Sequence, residues 1–147
     1  MSSHLITTTW KGNMQFESTN PGGSLIIDAA EEVGGTNNGL RPKALMLSAL
    51  AGCSGLDVAS LIKKMRLEVT DFNIETQGFL TDTEPQVYDK VTVTYHFYGS
   101  NLNEEKLNRA VELSVEKYCG VMQMFKNFAT VTTAIEYHDM KEDEKSY

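Results

Sequence analysis

Two cysteines are the residues of this chain best suited to chemistry. Cys53 lies in the apolar segment ALMLSALAGCSGLDVASLIKKM, from Ala44 to Met65, and Cys119 lies in VEKYCGVM. A single free cysteine is typically an inert core residue, because cysteine is among the most buried residue types. Two thiols can instead carry redox chemistry, which requires that a thiol be accessible and ionise readily. The residue types alone leave both interpretations open.

The segment that follows Cys119 favours a reactive thiol. Gly120 stands directly after this cysteine, and VMQMFKNF is predicted to add one or two helical turns. The backbone N–H groups at the start of such a turn would stabilise a thiolate. These groups favour a lowered pKa for Cys119, but the sequence shows neither the thiolate character nor the access of this residue.

The spacing of the possible metal ligands gives little support for a metal site. Cys53, Cys119 and His96 are potential soft ligands, whereas His4 and His138 lie near the termini. The sequence has no CxxC, no HxxxH and no comparable compact pattern. We predict no metal site and no cofactor, and we expect His96 to be a hydrogen-bonded or exposed imidazole.

Composition restricts the partners and the compartment. The 147 residues include 13 basic and 20 acidic side chains, and the net charge of −7 argues against nucleic acid as a partner. The sequence shows neither a basic region followed by an apolar run nor an uninterrupted apolar run of about 18 residues, so we expect no signal peptide and no membrane contact. Two distant cysteines do not suggest a disulfide scaffold, and we expect a cytoplasmic protein with reduced thiols.

Strands are predicted on both sides of the first cysteine. HLITTTW, MQFEST and SLIIDA have the β-branched or alternating residues of short strands, separated by the turn segments KGN and NPGG. LEVTDFNIETQGFL and QVYDKVTVTYHFYG predict a longer hairpin with its turn at Thr81–Pro85, and ATVTTAIEY predicts a final strand. One face of the second long strand is predicted to carry Val91, Val93, Tyr95 and Phe97.

Two helices must position the cysteines. The first is predicted from about Pro42 to Met65, and its first half is apolar on every side, so we expect it to be buried inside one subunit or between two. The second is predicted to begin at a capping box, Asn101 followed by Glu104, and to end at Cys119.

The length and the order of these elements predict the architecture. One domain is the usual expectation for 147 residues, and we place it at residues 1–138, followed by a charged tail at 139–147. Strands and helices in this order predict an α+β fold.

The two cysteine segments together resemble the OsmC/Ohr family. RPKALMLSALAGCSGLDVASLIKKMRL has the X-Pro entry, the apolar run, the AGC triplet and the amphipathic second half of the family's first cysteine helix. LNRAVELSVEKYCGVMQMF resembles its second cysteine helix, with the pattern A-V-x-L-S-x-x-K-Y-C. The order of strands and helices agrees with the family over nearly the whole chain.

This resemblance implies a fold, an assembly and an activity. Family members have antiparallel sheets around two long central helices, and two chains intertwine as a homodimer that buries the long helices. The best-known members are thiol peroxidases for organic hydroperoxides, in which a sulfenic acid and then a disulfide form before a dithiol restores the thiols. By motif, Cys53 is the peroxidatic thiol and Cys119 the resolving thiol. The implied partners are a second copy, an apolar hydroperoxide or other small apolar ligand, and a dithiol reductant.

One position departs from the family pattern. Active members have a Glu directly after the proline that opens the first helix, and this Glu orients an Arg beside the thiolate, whereas this chain has Lys43 there. Arg41 and Lys11 are the other candidates for a supporting cation. A lysine is a point charge that lacks the planar fork of a guanidinium group. The departure favours an alternative function, that of a non-catalytic or redox-sensing protein that binds a small molecule.

Overall fold

The computed structural model describes residues 2–140 and contains two compact units, one up to Met46 and one from Leu47. Most of the predicted charged tail, residues 141–147, lies outside the described residues. The elements of the described part are β1 (Thr7–Gly12), β2 (Gln15–Asn20), β3 (Gly23–Ile27), α1 (Pro42–Lys64), β4 (Asp71–Leu80), β5 (Tyr88–Gly99), α2 (Glu104–Leu113), α3 (Gly120–Lys126) and β6 (Thr130–Asp139). These elements confirm the predicted α+β class.

The first unit contains the three predicted short strands as one antiparallel sheet in the order β1-β2-β3. Gly12 and Asn13 form the first turn with positive φ angles of 105° and 49°, a conformation that glycine and asparagine tolerate best. This turn confirms the hairpin predicted from KGN.

A buried carboxylate organises the loop between β3 and α1. Asp28 is 2% exposed and accepts hydrogen bonds from the Thr36 hydroxyl at 2.6 Å and from the backbone N–H groups of Ala29, Thr36 and Asn38. The Thr36 hydroxyl first, and then these N–H groups, lower the pKa of Asp28 to about 2 against the opposing effect of burial. The loop is so tight that a Cβ atom on Gly35 would lie 2.0 Å from the Ala29 carbonyl oxygen.

Helix α1 begins at Pro42 as predicted, but it is not buried all round within one chain. Its buried residues are Leu50, Ser54 and Val58, whereas Leu56 is 76% exposed. Over its most apolar 18-residue window only 17% is buried, and its length and composition would suffice to cross a membrane. The search for an uninterrupted apolar run does not find this segment, because polar residues interrupt it without lowering its average hydropathy much. Within the described chain α1 is only partly buried.

The second unit is built on a mixed sheet in the order β4-β5-β6. Strand β5 pairs antiparallel with β4 and parallel with β6. The inward face of β5 contributes the predicted residues to the core, and each is at most 1% exposed: Val91, Val93, Tyr95 and Phe97. The hairpin turn predicted at Thr81–Pro85 is also confirmed.

The second cysteine helix differs from its prediction at its start, while its end at Cys119 is confirmed. Its N-cap is Asn103, whose side chain accepts from the Lys106 N–H at 3.1 Å, so the capping box at Asn101 is wrong. After α2, the chain forms a wider π-helical turn over Ser114–Tyr118 and then continues as α3. The helical segment therefore changes its path at the residues that precede Cys119.

Asp28→Asn should lower the urea midpoint of unfolding at pH 7, because an amide would face donors that now bind a carboxylate. Folding lowers the pKa of this carboxyl, so its contribution to stability is complete above about pH 4 and is lost as the pH falls to about 2. The difference in midpoint between wild type and variant should shrink over that range. Asp82→Asn, at an exposed position, is the control. A difference that stays constant down to pH 2 would contradict this role.

Candidate functional site

The two cysteines, 66 positions apart in the sequence, lie side by side in the second unit. Cys53 lies on α1 and is half-buried, whereas Cys119 lies between the π-helical turn and α3 and is 0% exposed. Both are free thiols, and Cys53 is close enough to Cys119 to raise its pKa. The structure thus brings together the two residues that the sequence singled out.

The π-helical turn fixes the position of Cys119. The Cys119 N–H donates to the Ser114 carbonyl oxygen at 2.9 Å, a step of five residues that closes one wide turn. Cys119 itself is extended, with φ −80° and ψ 105°, and is the N-cap of α3, where its Sγ accepts from the Met122 N–H at 3.3 Å. Single π-helical turns within helices are frequent at functional sites.

The electrostatic environment of Cys119 opposes ionisation. Burial, followed by the hydrogen bond with Cys53, raises its pKa to about 12, and the Asp57 carboxylate adds to this effect. The Met122 N–H lowers the pKa, as the sequence suggested, but it does not outweigh burial. Burial therefore outweighs the N–H groups that the sequence indicated.

A chain of four hydroxyl and carboxylate groups lies beside the thiols. The Tyr95 hydroxyl is 2.7 Å from Ser54 Oγ, which is 2.8 Å from Ser114 Oγ, and Ser114 donates to Asp57 Oδ2 at 2.9 Å. Because a serine hydroxyl has one hydrogen, Ser114 must accept from Ser54, and Ser54 must accept from Tyr95. Each hydroxyl of this chain therefore donates to the next group, from the buried tyrosine to the carboxylate.

This hydroxyl chain shares the electrostatic environment of the thiols. Burial raises the pKa of Tyr95, and charge on Cys119 and on Asp57 would raise it further. Sequence analysis missed these four residues as a group. One signal was available, since a tyrosine on the core face of a strand requires a hydrogen-bond partner for its hydroxyl.

An open groove adjoins this cluster. It has a volume of about 430 Å³ and is lined by Asp57, Ser60, Leu61, Lys64 and Tyr118. Asp57 belongs to both the groove and the hydroxyl chain, and Tyr118 precedes Cys119. The lining mixes charged and apolar side chains.

The predicted supporting cations lie in the unit that ends at Met46. Lys11 is exposed on β1, and Lys43 is exposed in the first turn of α1, ten residues before Cys53. The Arg41 guanidinium donates to the carbonyl oxygens of Gly39 at 2.8 Å and Asp28 at 3.3 Å, and it also bonds the Asn37 side chain. Arg41 therefore helps to hold the Asp28 loop.

Comparison with known proteins identifies relatives over most of the chain. The family model described as OsmC-like protein matches residues 35–134. Protein YhfA of Escherichia coli (strain K12) is 30% identical over 95 residues, which cover 65% of this chain and 71% of YhfA. A hypothetical protein from Aquifex aeolicus VF5 has a TM-score of 0.83 at 29% identity and covers 96% of this chain and 100% of its own. The organic hydroperoxide resistance protein OhrB of Bacillus subtilis has the same fold, with a TM-score of 0.64 at 20% identity over 92% of this chain and 98% of its own.

Ser114→Ala should reduce the free energy of unfolding by about 1–3 kcal/mol, because it leaves the buried Ser54 hydroxyl without its acceptor. Ser60→Ala removes an exposed hydroxyl on α1 and should change the same quantity by no more than about 0.5 kcal/mol. Urea denaturation of both variants measures the two effects. Equal stabilities would show that the hydroxyl chain does not stabilise the second unit.

Proposed function

Because this chain belongs to the OsmC-like protein family, as the match over residues 35–134 shows, we propose that it is a thiol peroxidase that reduces organic hydroperoxides. The observation that supports this most strongly is the interaction between the half-buried Cys53 thiol and the buried Cys119 thiol. Neighbouring thiols can form a disulfide where their Cα atoms lie within about 7 Å of each other. The hydroperoxide resistance named for OhrB agrees with this chemistry.

The proposed cycle has three steps. The Cys53 thiolate attacks an oxygen of the hydroperoxide, the S–O bond forms as the O–O bond breaks, and the alkoxide leaves as an alcohol after taking a proton. The Cys119 sulfur then attacks the Cys53 sulfenic acid, and the new S–S bond forms as hydroxide leaves with the Cys119 proton as water. A dithiol reduces this disulfide by thiol–disulfide exchange, is itself oxidised to a disulfide, and returns both thiols.

The burial of the two thiols supports this division of roles. Cys53 is the more accessible, and the thiol that meets the peroxide must be accessible. A pKa of about 12 keeps Cys119 protonated near neutral pH, so it reacts only with a sulfenic acid formed next to it. The cycle also needs a reducing compartment, and we propose the cytoplasm.

The groove beside Asp57 is the proposed route for the substrate. Leu61 and Tyr118 offer apolar surface for the organic part of a hydroperoxide, while Lys64 offers a cation. Lys43, Arg41 and Lys11 stay candidates for support of the Cys53 thiolate. Arg41 is the weakest of the three, since loop carbonyl oxygens already occupy its donors.

A redox-sensing function is the second candidate. Burial and the Asp57 carboxylate both oppose a thiolate at Cys119, which would slow formation of the disulfide and its reduction. A protein of this kind would be oxidised once and would then persist in that state. This alternative agrees with Lys43 at the position where active relatives are expected to have a Glu.

Steady-state consumption of an alkyl hydroperoxide in the presence of a dithiol tests the cycle. Wild type should turn over many times, Cys53→Ser should lose all consumption, and Cys119→Ser should react once and then stop. Ser3→Ala, at an exposed position outside the groove, is the matched control. Stoichiometric consumption by wild type without turnover would contradict the peroxidase and favour the sensor.

We also propose that the protein is a homodimer joined through α1. The exposed residues of this helix form an apolar and small-residue stripe with helical spacing: Met46, Ala49, Gly52, Leu56 and Ala59. An added Cβ on Gly52 would meet nothing within 4 Å in the same chain, which leaves room for another helix to approach closely. A second copy of α1 would cover this stripe.

Leu56→Glu should convert the dimer into a monomer, because it places a charge in the centre of the stripe. Size-exclusion chromatography with light scattering in detergent-free buffer should give twice the chain mass for wild type and the single chain mass for the variant. Leu5→Glu changes a leucine that is 85% exposed outside α1 and is the control. A monomeric wild type, or one that stays in solution only with detergent, would contradict the dimer, and the second result would indicate a membrane.

A further inference from the structure

Two histidines and a glutamate converge on the face of the second sheet that is opposite to the thiols. His96 on β5 is paired with Glu136 on β6, and His138 follows two residues later on the same face. His96 Nδ1 lies 3.0 Å from His138 Nε2 and 3.1 Å from Glu136 Oε2, and the latter two atoms are 3.9 Å apart. The side chain of His96 is only 10% exposed. The three atoms enclose one small space.

A second carboxylate lies behind His96. Glu75 Oε1 on β4 lies 2.6 Å from His96 Nε2, the ring nitrogen that points away from Glu136. This contact lacks hydrogen-bond geometry, and His96 Nε2 has no hydrogen-bond partner among the described residues. The other ring nitrogen, Nδ1, faces both Glu136 and His138.

A metal cation between His96 Nδ1, Glu136 Oε2 and His138 Nε2 would bind all three atoms at once, because each of them can offer a lone pair.

The distances agree with the geometry of a zinc site. Tetrahedral Zn²⁺ has nitrogen and oxygen ligands at about 2.0–2.1 Å, which places neighbouring ligand atoms about 3.3 Å apart. The separations of 3.0 and 3.1 Å are close to that value, whereas the 3.9 Å between Glu136 Oε2 and His138 Nε2 is wider. These two exposed side chains would have to move slightly closer together around a tetrahedral ion. A ligating histidine usually presents its other ring nitrogen to a carboxylate, which is the position of Glu75.

We propose that His96, Glu136 and His138 form a binding site for Zn²⁺ or a similar divalent transition metal, with Glu75 as the carboxylate that orients His96. Three protein ligands leave a fourth position, and the partial exposure of His138 opens it to water. The three ligands lie on β5 and β6, so a bound metal would hold these two strands together. Glu75 extends the site to β4 through its contact with His96. The pair of imidazoles with one carboxylate suits zinc better than magnesium or calcium.

Calorimetric titration of the chelator-treated full-length protein with Zn²⁺ tests this site. We expect one Zn²⁺ per chain and a higher melting temperature in its presence. Glu75→Gln should weaken binding by roughly 10- to 100-fold, since it changes the orienting carboxylate. His138→Ala should weaken it further, and both residues are exposed enough for the variants to fold. His4→Ala is the control and should bind as wild type does.

Substitution by Co²⁺ distinguishes metal binding at this site from binding at the two cysteines, because thiolates are potential metal ligands too. Tetrahedral visible bands without a thiolate charge-transfer band would support nitrogen and oxygen ligands. A thiolate band, binding that is unchanged in His138→Ala, or no binding at millimolar Zn²⁺ would each overturn the proposal.

Discussion

The burial of Cys119 against Cys53 is the constraint on which the rest of the second unit depends. A thiol that is 0% exposed can contact α1 only if the chain after α2 bends towards that helix. The π-helical turn provides the bend, because its hydrogen bond joins Cys119 to Ser114, and Ser114 in turn contacts Ser54 and Asp57 on α1. The same turn therefore places both a thiol and a hydroxyl against the helix of Cys53.

Strand β5 connects this cluster to the other face of the sheet. Consecutive residues of a strand point to opposite faces, so Tyr95 reaches the hydroxyl chain while His96 reaches Glu136 and Glu75. Tyr95 is entirely buried and His96 nearly so. A shift of one residue in the register of β5 would exchange the positions of Tyr95 and His96 and destroy both clusters. The pairing of β5 with β4 and β6 therefore positions the thiol site as well as the histidines.

The sequence predicts features that depend on local pattern and misses those that depend on tertiary packing. Helix α1 starts at Pro42, and the inward face of β5 follows from its alternation. The pKa of Cys119 could not be predicted, because a helix N-terminus was visible in the sequence whereas burial was not. The capping residue was misplaced because Asn101 and Asn103 are both suitable caps, and only the backbone distinguishes them. The histidine cluster arises from the parallel register of β5 and β6 across 42 residues, which no spacing rule detects.

Peptide mapping by mass spectrometry after one equivalent of an alkyl hydroperoxide tests the central claim most directly. If Cys53 and Cys119 act as one redox pair, the fully reduced protein should lose two hydrogens. A single linked peptide should then join these two residues within one chain. Cys53 trapped as a sulfenic acid with Cys119 still a free thiol would contradict the account, because a neighbouring thiol should have captured the sulfenic acid.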